Sequence, residues 1–343
     1  MRYRDFDEES IRSRPARRGS RPRTKRRPAH EDAVPGMVIG VDRGRYAVLL
    51  TDVGAHHETI TAIKARDLGR RALVVGDNVA LVGDVSGKPD TLARIVRLEK
   101  RRTTLRRTAD DDDPYERVVV ANADQMVIVT ALADPEPRQR MVDRCLVAAF
   151  DAEMDVLLCL TKADLASPEE FLAPYANLNV SVVTTSLKSD GTIAGLDTLQ
   201  SQLSGLTSAF VGHSGVGKST LVNALVPDAE RETGSVNVTT GRGRHTSTSA
   251  LAFELPGPEG GWVIDTPGIR SFGLAHIDPD RIISGFPDLA PAVNDCPRGC
   301  THDDDAIGCA LDPWVEAGKA GEHGRARLES LRRVLGSRRD TEY

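Results

Sequence analysis

The run Gly212-His213-Ser214-Gly215-Val216-Gly217-Lys218-Ser219 satisfies G-x-x-x-x-G-K-[ST] at every fixed position. Glycines so spaced let successive backbone N–H groups curl around an anion, and a helix N-terminus adds a positive field. A lysine and a hydroxyl at the end suit the β- and γ-phosphates of a nucleotide and its Mg²⁺ ion. Ala209–Val211 is apolar and strand-like, and Leu221, Val222 and Leu225 follow at helical spacing. The loop is therefore placed between a strand and a helix, the setting its chemistry requires. Lys218 is expected on the phosphates and Ser219 on the metal, with Thr220 in the first helical turn.

Downstream, Trp262-Val263-Ile264-Asp265-Thr266-Pro267-Gly268 is an apolar strand that ends in an aspartate. A carboxylate so placed stands on the magnesium side of a phosphate loop, and Gly268 lets a backbone N–H approach the γ-phosphate. Between the two motifs lie Thr233, Thr239, Thr240, Thr246 and Thr248 among small and basic residues. Such a hydroxyl-rich loop is expected to order around the γ-phosphate and Mg²⁺. Thr246 or Thr248 would add a hydroxyl to the metal, and the sequence does not choose between them. Ile269 follows D-T-P-G and has no polar atom with which to orient a hydrolytic water. His245 is the candidate for that task, because a neutral imidazole can position water near pH 7.

Thr161-Lys162-Ala163-Asp164 names the base. It closes the apolar strand Val156–Leu160 and matches [NT]-K-x-D. The Asp164 carboxylate can accept from guanine N1–H and from the exocyclic amine, donors that adenine does not offer there. An unpaired buried carboxylate would make the wrong base costly. Lys162 is expected to lay its stem along the base. After the next strand, Ser186-Leu187-Lys188 resembles the short loop whose backbone N–H meets guanine O6. The base motifs precede the phosphate motifs, the reverse of the common order. Parallel-sheet domains tolerate such a permutation, because moving the termini leaves the spatial site intact.

Near the C-terminus, Cys296, Cys300, His302 and Cys309 form C-x₃-C-x-H-x₆-C. Three thiolates and an imidazole make a closed tetrahedral set for one structural Zn²⁺. Cys145 and Cys159 sit alone in apolar stretches and read as buried free thiols.

The elements that position these residues fall into blocks. Residues 33–100 hold five short candidate strands punctuated by glycines, which suits a small closed β-barrel of the OB type. Residues 101–116, with Arg101-Arg102, Arg106-Arg107 and the acidic run Asp110–Asp113, read as a linker. From 117 to 275 buried strands alternate with helices, as in an α/β domain with a mostly parallel sheet. Residues 276–343 carry the cysteine cluster and a helical tail. Residues 1–32 hold eleven basic side chains against six acidic ones, lack hydrophobic periodicity, and are expected to be a disordered arm. The arm is either an electrostatic contact for RNA or ribosomes or a solvated tail. A charged fraction of 28% and no long apolar run exclude a helical membrane span. A cytoplasmic monomer is expected.

Taken together, T-K-A-D, S-L-K, G-H-S-G-V-G-K-S-T, D-T-P-G and C…C-x-H…C in this order resemble the circularly permuted ribosome small-subunit-dependent GTPase A family, RsgA. Val75-Gly76-Asp77-Asn78-Val79 and Ala121-Asn122-Ala123-Asp124 fit it too. The resemblance covers residues 34–336. It implies an OB-fold, a permuted GTPase domain and a zinc domain, acting with GTP, Mg²⁺ and Zn²⁺ in late maturation of the small ribosomal subunit and its rRNA. Three features depart from the family pattern: Thr161 where Asn is commoner, which implies a weaker contact to guanine N7; cysteine spacings altered by one residue on either side of C-x-H; and the arginine-rich arm. An assembly factor using GTP only as a structural ligand is disfavoured by intact Lys218, Ser219 and Asp265. An ATP-using enzyme is disfavoured by Asp164.

Overall fold

A computed structural model describes residues 30–51, 58–69, 71–88, 90–108, 116–176, 178, 180–227, 229, 250–266 and 279–336. The basic arm up to residue 29 and the segment holding His245, Thr246 and Thr248 lie outside the described residues, as does Gly268.

The first five strands are β1 (Val34–Asp42), β2 (Arg45–Leu50), β3 (Thr59–Lys64), β4 (Asn78–Gly83) and β5 (Ala93–Leu98). They run in the order β1-β2-β3-β5-β4, and β4 pairs back onto β1, so the sheet closes as the glycine-punctuated strands predict. Side chains alternate across the pleat, and Val38, Val48, Ile60, Leu81 and Ile95 fill the interior. The opposite face of the same strands does different work. Ile39, Ala47 and Leu49 turn outward into the larger core of the following domain. Strand β1 also pairs with β14 (Leu251–Glu254) at Gly40↔Leu251, so barrel and central sheet form one eleven-stranded ladder.

Two motifs lock this junction. Asp77 is fully buried and accepts from Val74 N–H and from both Nε and Nη2 of Arg101 at 2.7 and 2.9 Å. Gly76 has φ 88°, and a Cβ there would stand 2.0 Å from the Ala121 carbonyl oxygen. Asn122 bridges the same seam, donating from Nδ2 to Gly76 O and accepting the Arg102 N–H at Oδ1.

The stretch expected to be a linker is partly strand. Strand β6 (Thr104–Thr108) pairs antiparallel with β7 (Glu116–Ala121). Leu105 faces Val120, and both are buried in the main core. The flanking arginines masked this one apolar anchor in the sequence.

The central domain comprises β8 (Gln125–Ala131), α1 (Gln139–Asp151), β9 (Asp155–Thr161), α2 (Glu169–Leu172), β10 (Ser181–Thr184), the short pair β11 (Ser186–Leu187) and β12 (Ile193–Ala194), α3 (Leu196–Leu203), β13 (Thr207–Gly212), α4 (Lys218–Leu225), β14 and β15 (Trp262–Asp265). The sheet runs β10-β9-β8-β13-β15-β14, parallel throughout except for β14. Strands β8 and β13 are nearly all buried, which explains their unbroken apolar runs.

The C-terminal helices α5 (Pro279–Ile283), α6 (Leu311–Glu316) and α7 (Gly324–Gly336) have no separate core. Ile282, Phe286, Leu331 and Val334 join the central one. Phe286 meets Phe150 of α1 edge-on at 6.0 Å. Arg333 of α7 lies over the Tyr175 ring and 3.3 Å from the buried Asp143 carboxylate of α1. Burial pushes the Asp143 carboxyl upward against the pull of Arg333.

Among the described residues no helix is long and apolar enough to cross a membrane. Asp77→Ala leaves the largely covered Arg101 with its bond to Ala72 O but no counter-charge, and is expected to cost about 3 kcal/mol in urea unfolding. A loss under about 1 kcal/mol would show that the pair does not hold the junction.

Candidate nucleotide and metal sites

Strand β13 delivers the phosphate loop. A Cβ at Gly212 would stand 2.5 Å from Val129 O, so only glycine lets β13 lie this close to β8 as the loop begins. Gly217 takes φ 93° at the N-terminus of α4. Helix α4 buries Leu221, Val222 and Leu225 and leaves Ser219 and Thr220 exposed in its first turn. His213 is half-buried, Ser214 exposed and Val216 buried.

Asp265 ends β15 opposite Phe210 of β13, and its carboxylate pairs with the Lys218 ammonium. The next residue explains why it stands there. Thr266 is buried, and its hydroxyl donates to Phe210 O at 2.5 Å. That bond ties the end of β15 to the phosphate strand. The sequence marks Thr266 only as the second letter of a tetrad, because its acceptor is a distant backbone carbonyl.

The base loop leaves the same sheet edge at the end of β9. The Thr161 hydroxyl donates to Val216 O in the phosphate loop at 2.6 Å. Lys162, at φ 57°, donates from Nζ to Asp134 O. Ala163 N–H donates to Thr185 O, and Thr185 N–H to Leu160 O, so the two base-side loops are laced together. Asp164 is exposed beside them. Ser186 and Leu187 form a tight hairpin with Ile193 and Ala194, and Lys188 N–H is spent on Thr192 O. The segment after β8 also borders the site. Pro135 Cδ lies 3.8 Å from where a Cβ on Gly215 would stand. It carries no motif, because it contributes a backbone oxygen and a ring edge rather than a functional side chain.

The metal-type cluster forms where the spacing placed it. The ligand atoms of Cys296, Cys300, His302 and Cys309 all lie within 4.8 Å of one another. His302 is buried with φ 60°, and its Nδ1 is 3.7 Å from Cys296 Sγ and 3.8 Å from Cys309 Sγ. Ligands about 2.0–2.3 Å from a tetrahedral ion stand roughly 3.5–3.8 Å apart, so the cluster fits one. Ala310 N–H donates to Cys296 Sγ, and Arg332 Nε donates to His302 O. Burial pushes the Cys309 thiol up to about 12, a cost that a coordinated cation removes by favouring thiolate. Cys145 and Cys159, likewise pushed to about 12 by burial, lie in the core as inert thiols.

A phosphate loop, its aspartate and a base-type loop on one edge of a parallel sheet, reached in permuted chain order beside a closed barrel, define a circularly permuted P-loop GTPase. The RsgA GTPase family model matches residues 98–275. The chain belongs to the RsgA GTPase family and is a GTP hydrolase. It is 35% identical over 316 residues to the small ribosomal subunit biogenesis GTPase RsgA of Chlorobaculum tepidum, an alignment covering 90% of this chain and 99% of that one. It is 38% identical over 279 residues to the protein of the same name from Pseudomonas fluorescens, covering 79% and 77%. Among solved structures it resembles YjeQ from Thermotoga maritima, with TM-score 0.62 and 25% identity over 89% of this chain and 98% of that one. It shares the fold of YloQ, described as a circularly permuted GTPase, with TM-score 0.60 and 23% identity over 93% and 100% of the two chains.

The cluster is expected to hold one metal ion per chain. Elemental analysis should find it in the unstripped protein and not in Cys300→Ser; a folded, metal-free parent would refute the assignment.

Proposed function

We propose that this chain hydrolyses GTP to GDP and phosphate on the small ribosomal subunit, in the late stage of that subunit's maturation. The single observation that carries the nucleotide part is the meeting of the Asp164 loop and the Lys218–Asp265 pair at one sheet edge, although they come from opposite halves of the domain. The ribosomal part rests on the names of the relatives.

In this reading Asp164 accepts from guanine N1–H and the amine, and Lys162 covers the base. Because Lys188 N–H is engaged by Thr192 O and antiparallel pairing alternates, which spends Ser186 N–H on the ladder as well, the donor to O6 is assigned to Leu187. The N–H groups of Gly212, His213, Ser214, Gly215, Val216 and Gly217 face the phosphates with Lys218, and Thr220 lies in the helix turn beneath them. Ser219, Asp265 and either Thr246 or Thr248 would hold Mg²⁺, which when bound would neutralise charge developing on the phosphate oxygens. Gly268 offers its N–H to the γ-phosphate. Cys296, Cys300, His302 and Cys309 hold a structural Zn²⁺ that stiffens a lobe sharing its apolar residues with the central core. The barrel contributes exposed Arg43, Arg45 and Arg94, which suit rRNA phosphates, and the basic residues of 1–32 are a second source of charge for the same partner. With Ile269 unable to orient water, hydrolysis by the free protein is slow, and the subunit sets His245 in place. The setting is the cytoplasm, and the working form a monomer.

Hydrolysis assayed with GTP and with ATP, with and without purified small subunits, tests the whole reading. GTP should be cleaved far faster than ATP and only with subunits present at an appreciable rate; equal use of ATP would sink it. Asp164→Asn exchanges an acceptor oxygen for a donor amide, so GDP binding should fall at least tenfold while xanthosine diphosphate binding rises. Unchanged GDP affinity would remove Asp164 from the site. His245→Ala should abolish subunit-stimulated hydrolysis and leave GTP affinity within about twofold. Full stimulated activity in that variant would show that water is positioned by another group.

A further inference from the structure

The metal-type loop runs from His302 to Cys309 with six residues between them. His302 takes φ 60°, a left-handed turn that is costly for any residue with a Cβ. With that turn its ring Nδ1 stands 3.7 Å from Cys296 Sγ and 3.8 Å from Cys309 Sγ. The ligands cannot hold the turn before an ion is seated, because neighbouring thiolates repel one another.

Arg332 of α7 reaches the loop from outside. A guanidinium carries five N–H donors in a rigid plane. Nε donates to His302 O at 3.3 Å. Nη2 donates to Asp303 O at 3.4 Å and to Asp312 Oδ2 at 2.6 Å. Nη1 donates to Asp312 Oδ1 at 3.0 Å and stands 2.9 Å from Asp304 Oδ1. Every donor thus has an acceptor, and the side chain is only 13% exposed. The acceptors lie at both ends of the loop. His302, Asp303 and Asp304 begin it, and Asp312 lies in the first turn of α6, just past Cys309. The two carbonyl bonds are long and Asp304 is 86% exposed, so the bidentate pair with Asp312 is what fixes the guanidinium. Helix α7 is itself anchored elsewhere. Leu328, Leu331 and Val334 are buried in the central core, and Arg333 meets Pro174 O and the Tyr175 ring.

We infer that Arg332 is a positioning residue for the metal: its planar fork fixes both ends of the His302–Cys309 loop against α7, so that metal retention depends on a helix that contributes no ligand. The inference rests on the metal site proposed above and deepens it. Charge alone would act differently. Three thiolates, a neutral imidazole and a divalent ion leave a net negative charge, which any nearby cation favours. A lysine supplies that cation at one point, whereas only the guanidinium spans the two ends of the loop.

Release of Zn²⁺ from the full chain to a chromogenic chelator, pyridylazoresorcinol, tests this alongside thermal unfolding. Arg332→Gln should release Zn²⁺ at least tenfold faster than the parent, and Arg332→Lys nearly as fast. A parent-like rate in the glutamine variant would overturn the inference. A parent-like rate in the lysine variant would overturn the fork and leave charge as the cause. Arg333→Gln loosens the same helix without touching the loop, and its release should stay within about twofold of the parent. Release as fast as in Arg332→Gln would show that general loosening of α7 is responsible, which also overturns the role. If Arg332→Gln does not fold, Asp312→Asn weakens the anchor of the fork at a half-exposed site. Its release should be several times faster than the parent's, and an unchanged rate would count against the fork. A folded parent that takes up no Zn²⁺ refutes the metal site itself, a result distinct from a metal-bearing parent whose variants release at its own rate.

Discussion

The parallel ladder between β8 and β13, Gln125–Val129 against Ser208–Gly212, is the contact on which the rest of the molecule depends. On one side of it lie β9 and β10, which end in the loops proposed to read the base. On the other lies β15, which ends in Asp265. Parallel strands present their carboxyl ends at one edge, and ligands of such sheets bind outside that edge. A permuted chain can therefore build a nucleotide site if this one seam is correct. The seam leaves no room for error. Gly212 fits because the Val129 carbonyl would collide with any Cβ. Beyond the seam, two threonine hydroxyls cross between loops: Thr161 to Val216 O and Thr266 to Phe210 O. Each replaces a water contact by a buried bond to a backbone carbonyl that would otherwise be costly to leave unpaired.

The barrel is fused to this sheet rather than tethered to it. Strand β1 serves two cores with its two faces and reaches β14 through Gly40. The buried Asp77–Arg101 pair and the close approach of Gly76 to Ala121 then remove the freedom that a linker would have left. A shared sheet transmits displacement better than a flexible tether, because strand pairing admits few intermediate geometries.

Helix α1 occupies a comparable position on the other side. It begins just after the segment whose Asp134 carbonyl meets Lys162 and whose Pro135 borders Gly215. It ends against Phe286 and the C-terminal helices. Its Asp143 is buried with one oxygen, Oδ1, lacking a hydrogen-bond partner. An interface with an unsatisfied carboxylate is less stable than an apolar one of the same area. The metal-type lobe is thus packed on the same helix that flanks the nucleotide loops.

Sequence alone determined the features whose physics is local. Gly-x-x-x-x-Gly-Lys-Ser needs glycine dihedrals and adjacent N–H groups within one turn, so its eight letters carry the phosphate loop whole. The Cys296, Cys300, His302 and Cys309 set was legible because ligand type and spacing encode a tetrahedron, and the unbroken apolar runs of β8, β9 and β13 declared buried strands. Other features were decided only by the tertiary structure. The strand Thr104–Thr108 forms because a single leucine finds Val120 across the hairpin, which no periodicity could announce among arginines. The Thr161–Val216 bond and the Lys162–Asp134 contact span 55 and 28 residues. Their acceptors are main-chain carbonyls, which every residue type possesses and which therefore leave no mark in a sequence. Which carbonyl faces which side chain is settled by strand order and register, and those are properties of the folded sheet.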